Sequence, residues 1–382
     1  MKNKILYIEE NKYISETFIK HEKSLLYNRY NLKEISLIDI KLNLFRVLLN
    51  LLNQKYFKVK ILCFKLFISS LNDFNSFKSN TKIIFLFLSL DLNKIKSDFS
   101  DISHIRAHFI AKRAYFALFL AELLNISFSS VAHADDIFSW HKSKELIIKR
   151  SAFIHCISNY NIGFINAKTN FKFSEKLKLI YNSFNLINSN INLKIKTSHT
   201  KLEFLFIGRI IEKKGLLEFT KLFAKMNITN SIFTIIGSGP FESKIREFVD
   251  NNDLSDKVTF KGNVNNSDSI KLLMNSDFLV ITSLNANNAF HHMDGIPTVI
   301  FEALSNGIPV ITTQVSGIPE FLYDNVNGLI IDDINNESAE DLKNKIKNFD
   351  NSPEIIAKLF KTKYKNRAGG LKFLDELQNL GL

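Results

Sequence analysis

The sequence predicts two α/β domains, each built on a doubly wound parallel sheet, facing one another across a cleft. Three observations carry this prediction. In the second half of the chain, short apolar runs alternate with helical patterns, which is typical of parallel sheets covered by helices on both faces. Glycines stand at or just beyond the ends of several runs, where the ligand-binding loops of such sheets begin. Residues 188–200 are rich in Asn, Ser, Lys and Thr and are the best candidate for a linker.

The strands of the second half are indicated by runs that are apolar at nearly every position, as expected where both faces of a sheet are covered. They are predicted at Leu202–Ile207, Ile232–Ile236, Val258–Phe260, Phe278–Ile281, Val310–Thr312 and Leu329–Ile331. Helical patterns lie between or after them, at Leu216–Met226, Phe241–Val249, Ser269–Met274, Thr298–Ser305 and Ala339–Phe349.

The first half shows a less regular pattern of the same kind. Apolar runs predict strands at Ile5–Ile8, Ile83–Leu90, Phe128–Ala132, Ala152–Ser158 and Leu177–Tyr181. Ser15 is placed to cap a helix that runs to about Leu26. A second helix is predicted at Ala111–Leu124. This half is therefore also expected to be α/β.

These patterns divide the chain into three parts. Residues 1–190 form the first domain and residues 200–350 the second, and residues 351–382 are expected to be C-terminal helices that pack back toward the first domain. Two α/β domains joined near residue 195 would leave one deep cleft, and ligands favour such clefts.

The composition indicates a globular cytoplasmic protein with a sizeable core. Hydrophobic residues make up 46% of the 382 residues, which argues against global disorder. The two cysteines, Cys63 and Cys156, match no zinc or redox spacing, so reduced, buried thiols are expected. The segment Met1–Lys12 is polar and lacks the apolar core of a signal peptide. No apolar run reaches the roughly 18 residues of a membrane-spanning helix.

The net charge of +12 is unevenly distributed. Residues 1–200 hold 30 basic and 15 acidic residues, a net +15, and the remainder carries −3. An anionic surface or an acidic acceptor would be drawn to the first half, and near an anionic membrane each Lys or Arg contributes on the order of 1 kcal/mol. The alternative is that AT-rich codon drift enriches lysine on solvated faces.

The region Lys41–Asn72 is rich in Leu, Phe and Ile with scattered Lys, Arg and Asn. It fits an amphipathic helix or hairpin that lies on a membrane surface. The alternative is a core helix followed by a loop in the first domain.

The strongest candidate for a binding site is the segment Asp294–Glu320. It places Asp294 in a loop and Glu302 eight positions on, in the short helix predicted at Thr298–Ser305. Free N–H groups at the start of a helix form a natural seat for a phosphate, and a carboxylate beside that seat can accept hydrogen bonds from sugar hydroxyls. A diphosphate joined to a sugar describes a nucleotide sugar, which is the inferred substrate.

Proline and glycine define the two ends of that helix. Proline is tolerated at the first helical position because its missing N–H costs nothing there, and Gly307 ends the helix as a C-terminal glycine does. The residues predicted to form the donor seat are Gly295, Ile296, Pro297 and Thr298.

A second candidate is the basic loop Gly208–Gly215, which follows a predicted strand and precedes a helix. Its position brings Arg209 and Lys214 to the rim of the crevice. Transfer of a sugar leaves negative charge on a nucleoside diphosphate, and two cations aimed at that charge stabilise it. The alternative is a solvated basic turn.

Two weaker candidates follow other strands. Gly237 and Gly239 either make a tight turn or let a nucleobase or ribose approach the backbone. They do not form the G-x-G-x-x-G fingerprint, because Ser243 stands where the third glycine belongs, nor does a glycine follow the first strand of the chain. An NAD-linked dehydrogenase is therefore disfavoured.

Histidines supply the last candidates. His133 follows an apolar run, where it is either structural or able to bind a sugar hydroxyl or move a proton. His108 is less persuasive, and His291 and His292 could be loop residues near the donor. None of these histidines has a metal-ligand spacing with partners that we can defend.

These residues resemble the retaining glycosyltransferases of family 4, which have the two-domain GT-B fold. The resemblance spans nearly the whole chain and is strongest in the second half. There it rests on F-I-G-R-I-I-E-K-K-G, I-I-G-S-G-P, D-G-I-P-T-V-I-F-E-A-L-S-N-G-I-P-V-I-T-T and S-G-I-P-E, in the expected order. In the first half, I-S-E-T-F-I, R-A-H-F, H-A-D-D-I-F and I-S-N-Y-N resemble the subgroup that builds exopolysaccharide and colanic-acid-type chains.

The resemblance implies two Rossmann-like domains and a role for each candidate. Arg209 and Lys214 would hold the donor diphosphate, Glu302 would bind its ribose, Asp294 would face the transferred sugar, and His133 would line the sugar site. Members of the family retain the anomeric configuration and usually need no metal, so no cofactor is expected. The leaving phosphate oxygen is thought to help deprotonate the acceptor, so that no protein nucleophile is required.

This chain departs from the family pattern at three sites, one of which is Asn182-Ser183-Phe184-Asn185 in place of the usual N-G-V-D after the last strand of the first domain. Asp294 replaces the usual Glu, and its shorter side chain would alter sugar choice or weaken that contact. The first-domain loop lacks the common glycine pair, so either Ser15 and Glu16 take over the role of that pair or the role is not filled.

The predicted function is that of a hexosyltransferase-type enzyme in cell-surface polysaccharide synthesis. It would move a sugar from a nucleotide-sugar donor to a glycan or glycolipid acceptor, bound to the basic first domain at the inner face of the plasma membrane. Nucleic acid is not expected as a partner. Two alternatives are a sugar-nucleotide epimerase on the same fold and a non-catalytic descendant that binds a membrane or a protein.

Overall fold

The computed structural model describes residues 3–9, 17–27, 29–71, 73–184, 201–284, 293–365 and 369–382. Its contacts divide the chain into two units. Unit 1 comprises Met1–Ser183 and Arg367–Leu382, and unit 2 comprises Phe184–Asn366.

Unit 1 is built on a parallel sheet of six strands. These are β1 (Lys4–Glu9), β2 (Asn31–Ser36), β3 (His104–His108), β4 (Ser127–Ala132), β5 (Phe153–Cys156) and β6 (Leu177–Leu179), in the order β2-β1-β3-β4-β5-β6. Its helices before the crossing to unit 2 are α1 (Thr17–Tyr27), α2 (Leu44–Leu52), α3 (Phe57–Ser69), α4 (Phe74–Leu88), α5 (Leu92–Asp98), α6 (Lys112–Leu124), α7 (Asp135–Phe138), α8 (Lys144–Arg150) and α9 (Asn159–Thr169). Helix α6 is buried along nearly its whole length and forms the centre of the core.

The prediction of a strand at Ile83–Leu90 is wrong, because these residues form the last turns of helix α4 and the turn after it. The buried positions are Ile83, Ile84, Phe87 and Leu88, a helical spacing. The exposed side of the helix carries Phe85, which hid that spacing inside an unbroken apolar run. Such runs do not distinguish a strand from a helix by periodicity alone.

Strands β2 and β3 were missed by the sequence analysis. Strand β3 reads His-Ile-Arg-Ala-His and alternates polar with apolar residues, yet all five are buried. Its polar side chains are hydrogen-bonded to residues of other elements of unit 1, such as Ser129 and Glu22, and the local sequence does not reveal such partners.

Unit 2 contains a second parallel sheet of six strands. These are β7 (Leu202–Ile207), β8 (Ser231–Ile236), β9 (Val258–Gly262), β10 (Phe278–Ile281), β11 (Val310–Thr313) and β12 (Gly328–Ile331), in the order β12-β11-β10-β7-β8-β9. Its helices are α10 (Leu216–Met226), α11 (Glu242–Asn251), α12 (Asn266–Asn275), α13 (Thr298–Ser305), α14 (Ala339–Lys347) and α15 (Pro353–Lys365). All the predicted elements of this half are present, with ends shifted by at most three residues.

The last helix, α16 (Gly369–Asn379), belongs to unit 1. Phe373, Leu374 and Leu377 lie in one buried cluster with Ile5 and Tyr7 of strand β1. The chain therefore returns to the first unit after completing the second. In the described part of the chain, no helix combines the length and apolar composition needed to cross a bilayer.

Candidate functional site

The candidate site of unit 2 lies at the carboxyl ends of strands β7 and β10. These strands are neighbours at the centre of the sheet, and the chain builds outward from them in opposite directions, through β8 and β9 on one side and β11 and β12 on the other. Ligands of doubly wound sheets bind where the strand order reverses in this way.

Main-chain contacts fix the loops after these two strands to one another. The N–H of Leu284 donates to the carbonyl of Lys213 at 2.8 Å. Thr282 Oγ1 donates to the carbonyl of Gly215 at 3.1 Å. The basic loop is thus held against the segment that leads toward Asp294.

Asp294 lies at the centre of a buried ion cluster with Lys213 and Lys214. Its Oδ2 atom is 2.7 Å from Lys214 Nζ and accepts a hydrogen bond of 2.6 Å from Ser283 Oγ, and its Oδ1 atom is 3.4 Å from Lys213 Nζ. The aspartate is only 7% exposed, so solvent screens these contacts little. Two lysines and one aspartate leave the cluster with a formal charge of +1.

The charge state of Asp294 follows from these contacts. Burial alone would raise its pKa, but the charges of Lys214 and Lys213 outweigh burial and hold the pKa below its ordinary value. The carboxylate is therefore ionised at neutral pH. The family resemblance implied a diphosphate contact for Lys214 and a sugar contact for Asp294, and the structure brings these two side chains into direct contact. Lys213 and Ser283 were not singled out from the sequence.

Glu302 lies in the second turn of helix α13. Its main-chain carbonyl accepts hydrogen bonds from Ser305 Oγ and Asn306 Nδ2. No described residue offers its carboxylate a hydrogen bond or an opposite charge. Burial raises the pKa of Glu302, because a carboxylate removed from water loses hydration that no described residue replaces.

The start of helix α13 has no side-chain cap from the residue that precedes it. That residue is Pro297, Thr298 is the first helical residue, and no side chain of the described ranges caps this end. Gly295 and Thr298 are half-buried, and Ile296 is buried. Gly307 follows the helix with a φ of 75°, in agreement with its predicted role at the helix end.

The remaining predicted residues of unit 2 lie in the adjoining loops. Arg209 is exposed, and no described residue forms an ion pair with it. Gly237 has a φ of 130°, and a Cβ atom there would lie 1.8 Å from the carbonyl of Gly208. A Cβ atom at Gly239 would lie 2.1 Å from the carbonyl of Ile210. Close packing of two loops is thus sufficient reason for both glycines.

Unit 1 contains a buried polar network centred on Glu22 of helix α1. Arg106 of strand β3 forms a two-pronged contact with it, through Nε to Oε1 at 3.0 Å and Nη2 to Oε2 at 2.9 Å. Tyr7 donates to Oε1 at 2.8 Å, and His108 Nε2 lies 3.1 Å from the same oxygen. Burial alone would raise the pKa of Glu22, but Arg106 and His108 hold it well below the ordinary value.

His133 is the far end of this network. Its Nε2 atom is 3.2 Å from His108 Nδ1, and its ring packs on Phe18 and Phe109 with centroid distances of 4.7 and 4.4 Å. It is 5% exposed, and burial lowers its pKa well below the ordinary value. The ring is therefore neutral at neutral pH.

The hydrogen bonds assign the tautomers of both histidines. Glu22 is ionised and can only accept, so His108 carries its proton on Nε2 and presents Nδ1 as an acceptor. His133 then donates from Nε2, which leaves its Nδ1 as an acceptor. No residue in the described ranges pairs with that nitrogen.

Two side chains fix the main chain around His133. Asp136 accepts from the N–H of His133 at 3.0 Å and from that of Ile110 at 2.7 Å, which joins the loops after β3 and β4. Asn161 donates to the carbonyl of His133 at 2.8 Å. Asp136, which follows His133 by three positions, therefore has a structural role.

Four of the candidate residues predicted from the sequence lie outside the described residues, namely Ser15, Glu16, His291 and His292. The remaining site residues are divided between the units, with His133 in unit 1 and the others in unit 2. Glu22 and Arg106 were missed, although His104, Arg106 and His108 alternate as the polar face of a strand does. Among the described residues, no three acidic, histidine or cysteine side chains cluster as metal ligands would.

Known proteins match this chain in both sequence and structure. Residues 189–366 match the family described as Glycosyl transferases group 1. The amylovoran biosynthesis glycosyltransferase AmsK of Erwinia amylovora is 33% identical over 141 residues, which cover 36% of this chain and 34% of AmsK. WcaL of Escherichia coli K12, assigned to colanic acid biosynthesis, is 30% identical over 140 residues, covering 36% and 34%. The chain thus aligns with about a third of the length of these curated relatives.

Solved structures match over the whole chain. HepE of Anabaena, crystallised with UDP, has a TM-score of 0.66 at 15% identity and covers 100% of this chain and 99% of its own. The lipopolysaccharide outer core galactosyltransferase WaaB has a TM-score of 0.67 at 14% identity, covering 98% and 99%. At such identity the likeness establishes the fold. The predicted resemblance is therefore confirmed for the fold and for one domain: the chain has the α/β GT-B fold and carries a glycosyl transferases group 1 domain over residues 189–366.

Proposed function

We propose that this protein is a glycosyltransferase that moves a sugar from a nucleotide-sugar donor to a glycan acceptor in cell-surface polysaccharide synthesis. The domain match and the relatives in amylovoran and colanic acid biosynthesis support the reaction class and the process. HepE was crystallised with UDP, which makes a UDP-sugar the first donor to test.

The observation that carries the proposal is the ion cluster of Asp294, Lys213 and Lys214 at the strand-order reversal. Its formal charge of +1, with exposed Arg209 on the same loop, suits the diphosphate that leaves when the sugar is transferred. Asp294 holds Lys214 in place before the donor arrives. A cation positioned in advance stabilises the charge that develops in the transition state without reorganising at that moment.

Glu302 is suited to bind the donor ribose. Its carboxylate is mostly buried and has no described protein partner, so two ribose hydroxyls could donate to it at no cost to an existing contact. Both carboxylate oxygens of Asp294 contact a lysine, and we assign the contact of Asp294 with the transferred sugar as the resemblance implies.

His133 is suited to accept a hydrogen bond from the sugar. Its neutral ring and its Nε2 contact with His108 leave Nδ1 as an acceptor. This favours hydroxyl binding over proton donation. We further propose that transfer retains the anomeric configuration, requires no metal, and uses a lipid-linked acceptor at the inner face of the plasma membrane.

A thermal-shift panel of UDP, ADP and GDP tests donor binding. A ligand that binds only the folded form at about 100 times its Kd adds roughly 2.7 kcal/mol of stability. We expect one nucleotide to raise Tm in the wild type and in Lys221→Ala, which removes an exposed lysine of helix α10, but not in Lys214→Ala. A shift of equal size in Lys214→Ala would contradict the phosphate role.

Turnover then separates the proposed reaction from its alternatives. A transferase consumes the donor only when a glycan acceptor is present. Conversion of the donor without any acceptor would instead identify an epimerase. Nucleotide binding with no turnover under either condition would identify a non-catalytic protein.

A further inference from the structure

The outer faces of helices α2 and α3 carry an unusual concentration of exposed apolar side chains. Of the 23 large apolar residues that are exposed within the described ranges, 12 lie between Leu42 and Leu71. Soluble monomers seldom leave so large an apolar patch open, and such patches mark protein or membrane contacts.

Helix α3 is apolar on two opposite faces. The buried stripe faces unit 1 and consists of Val59, Leu62, Cys63 and Leu66. At about 100° per residue, a second stripe lies opposite to it and is exposed, formed by Phe57, Ile61, Phe64 and Ile68. Phe57 and Phe64 are each 64% exposed, so the core of unit 1 does not account for this stripe.

Lysines border the exposed stripe of helix α3 on both sides. By the same helical spacing, Lys58 and Lys65 lie along one edge and Lys60 along the other. Lys58 and Lys65 are exposed and Lys60 is half-buried. Lys60 Nζ donates to the carbonyl of Leu51 at 3.0 Å, whereas Lys58 and Lys65 can lay their carbon stems along an apolar boundary while their ammonium groups reach a phosphate layer.

Helix α2 shows the same arrangement. Its inward side includes Asn50, whose Nδ2 donates to the carbonyls of Leu88 and Leu90 at 2.8 and 2.9 Å. Its outer side is more apolar than its inner side and carries Phe45, Leu48, Leu49 and Leu52, all exposed. Burial within unit 1 therefore does not explain the composition of this helix either.

The charge of this region is of one sign. Residues 40–72 contain six Lys or Arg residues and no Asp or Glu. Arg46 pairs with Asp91 outside the region at 2.8 Å. The apolar stripes are thus embedded in a positive field, which complements an anionic lipid surface.

We propose that the outer faces of helices α2 and α3 form a docking surface that inserts into the headgroup region of an anionic bilayer. A second copy of the chain fits less well, because a two-fold interface would oppose two faces of the same positive charge, and lysine is depleted at protein interfaces. This docking surface extends the proposed function, on which it rests, because it would place unit 1 beside a lipid-linked acceptor. Its binding to lipid is nonetheless measurable without turnover.

Vesicle flotation of the full chain tests the surface. Wild type should float with vesicles of phosphatidylcholine mixed with phosphatidylglycerol, and less with phosphatidylcholine alone. Phe57→Gln/Phe64→Gln should bind the mixed vesicles at least about a hundredfold more weakly, since one buried aromatic side chain is worth about tenfold or more. Lys58→Gln/Lys65→Gln should lose about fivefold per lysine. Phe171→Gln removes a phenylalanine of unit 1 that is 69% exposed elsewhere and should bind as wild type does.

The proposal would be overturned if the wild type did not float with mixed vesicles, or if the Phe57/Phe64 variant floated as well as the wild type. It would also be overturned if the wild type bound no vesicles and was a dimer in light scattering, while the Phe57/Phe64 variant was a monomer. The nucleotide-induced rise in Tm, retained in each variant, would show that the variants are folded. If no nucleotide binds but the vesicles do, the proposed donor fails and the docking surface stands.

Discussion

Glu302→Gln is expected to change stability and donor binding in opposite directions. The substitution keeps the size of the side chain and removes its charge. Burial raises the pKa of Glu302, and no described group compensates for the charge. The ionised form is thus less favourable in the folded state than in the unfolded state, and glutamine relieves that cost.

The pH dependence follows from the direction of this shift. At about pH 3.5, below the usual glutamate pKa of about 4.3, Glu302 is protonated in both states and the variant should match the wild type. As the pH rises through the raised folded pKa, the wild type loses stability that the variant keeps. Urea unfolding at neutral pH should therefore show Glu302→Gln to be at least as stable as the wild type.

Donor affinity should fall in the same variant. A hydrogen bond to a charged group is worth about 1.5–3 kcal/mol, or about tenfold to 150-fold in Kd. Titration calorimetry with the nucleotide that raises Tm measures this loss. Glu247→Gln, on the exposed side of helix α11, is the matched control and should leave both quantities unchanged. A less stable Glu302→Gln protein with wild-type affinity would mean that this carboxylate serves the fold.

Three further predictions concern the charged groups and the metal requirement. Lys214→Ala should lower kcat at least about a hundredfold, and a wild-type kcat would exclude the phosphate clamp. Glu22→Gln should lower the free energy of unfolding, measured in urea at neutral pH, by about 3–5 kcal/mol because Arg106 loses its buried partner. Since the folded pKa of Glu22 is depressed, this loss of stability relative to the wild type should shrink as the pH falls through that pKa. A loss that does not change with pH would refute the charge argument. Transfer assayed in EDTA should proceed at the untreated rate, and loss of activity that Mg²⁺ restores would show a metal requirement.

The sheet of unit 2 was predictable because its strands are buried on both faces. Phe278–Ile281 is a continuous apolar run, Leu202–Ile207 is interrupted only by Glu203, and the structure reproduces both ranges. Helix α10 likewise alternates buried and exposed positions with a helical period. In these segments the local pattern and the tertiary environment favour the same structure.

Unit 1 was less predictable because its polar residues are buried. Two polar side chains of strand β3, Arg106 and His108, are paired in the core with Glu22, which is 84 positions away from Arg106. A single sequence gives no signal for such a pairing. The ion cluster of unit 2 was half predictable for the same reason: Asp294 and Lys214 were each identified from motifs, but their contact of 2.7 Å and the participation of Ser283 arise only from the packing of two loops.

The placement of helix α16 bears on how the protein is synthesised. Phe373 stacks on the guanidinium of Arg106 at 3.9 Å and packs near Phe153, so it covers the charged centre of unit 1. Residues 369–379 leave the ribosome after all of unit 2, which follows unit 1 by roughly 10–40 s at common translation speeds. During that interval the nascent first unit lacks the aromatic cover over Arg106, and its native core can be completed only once translation has passed the second sheet.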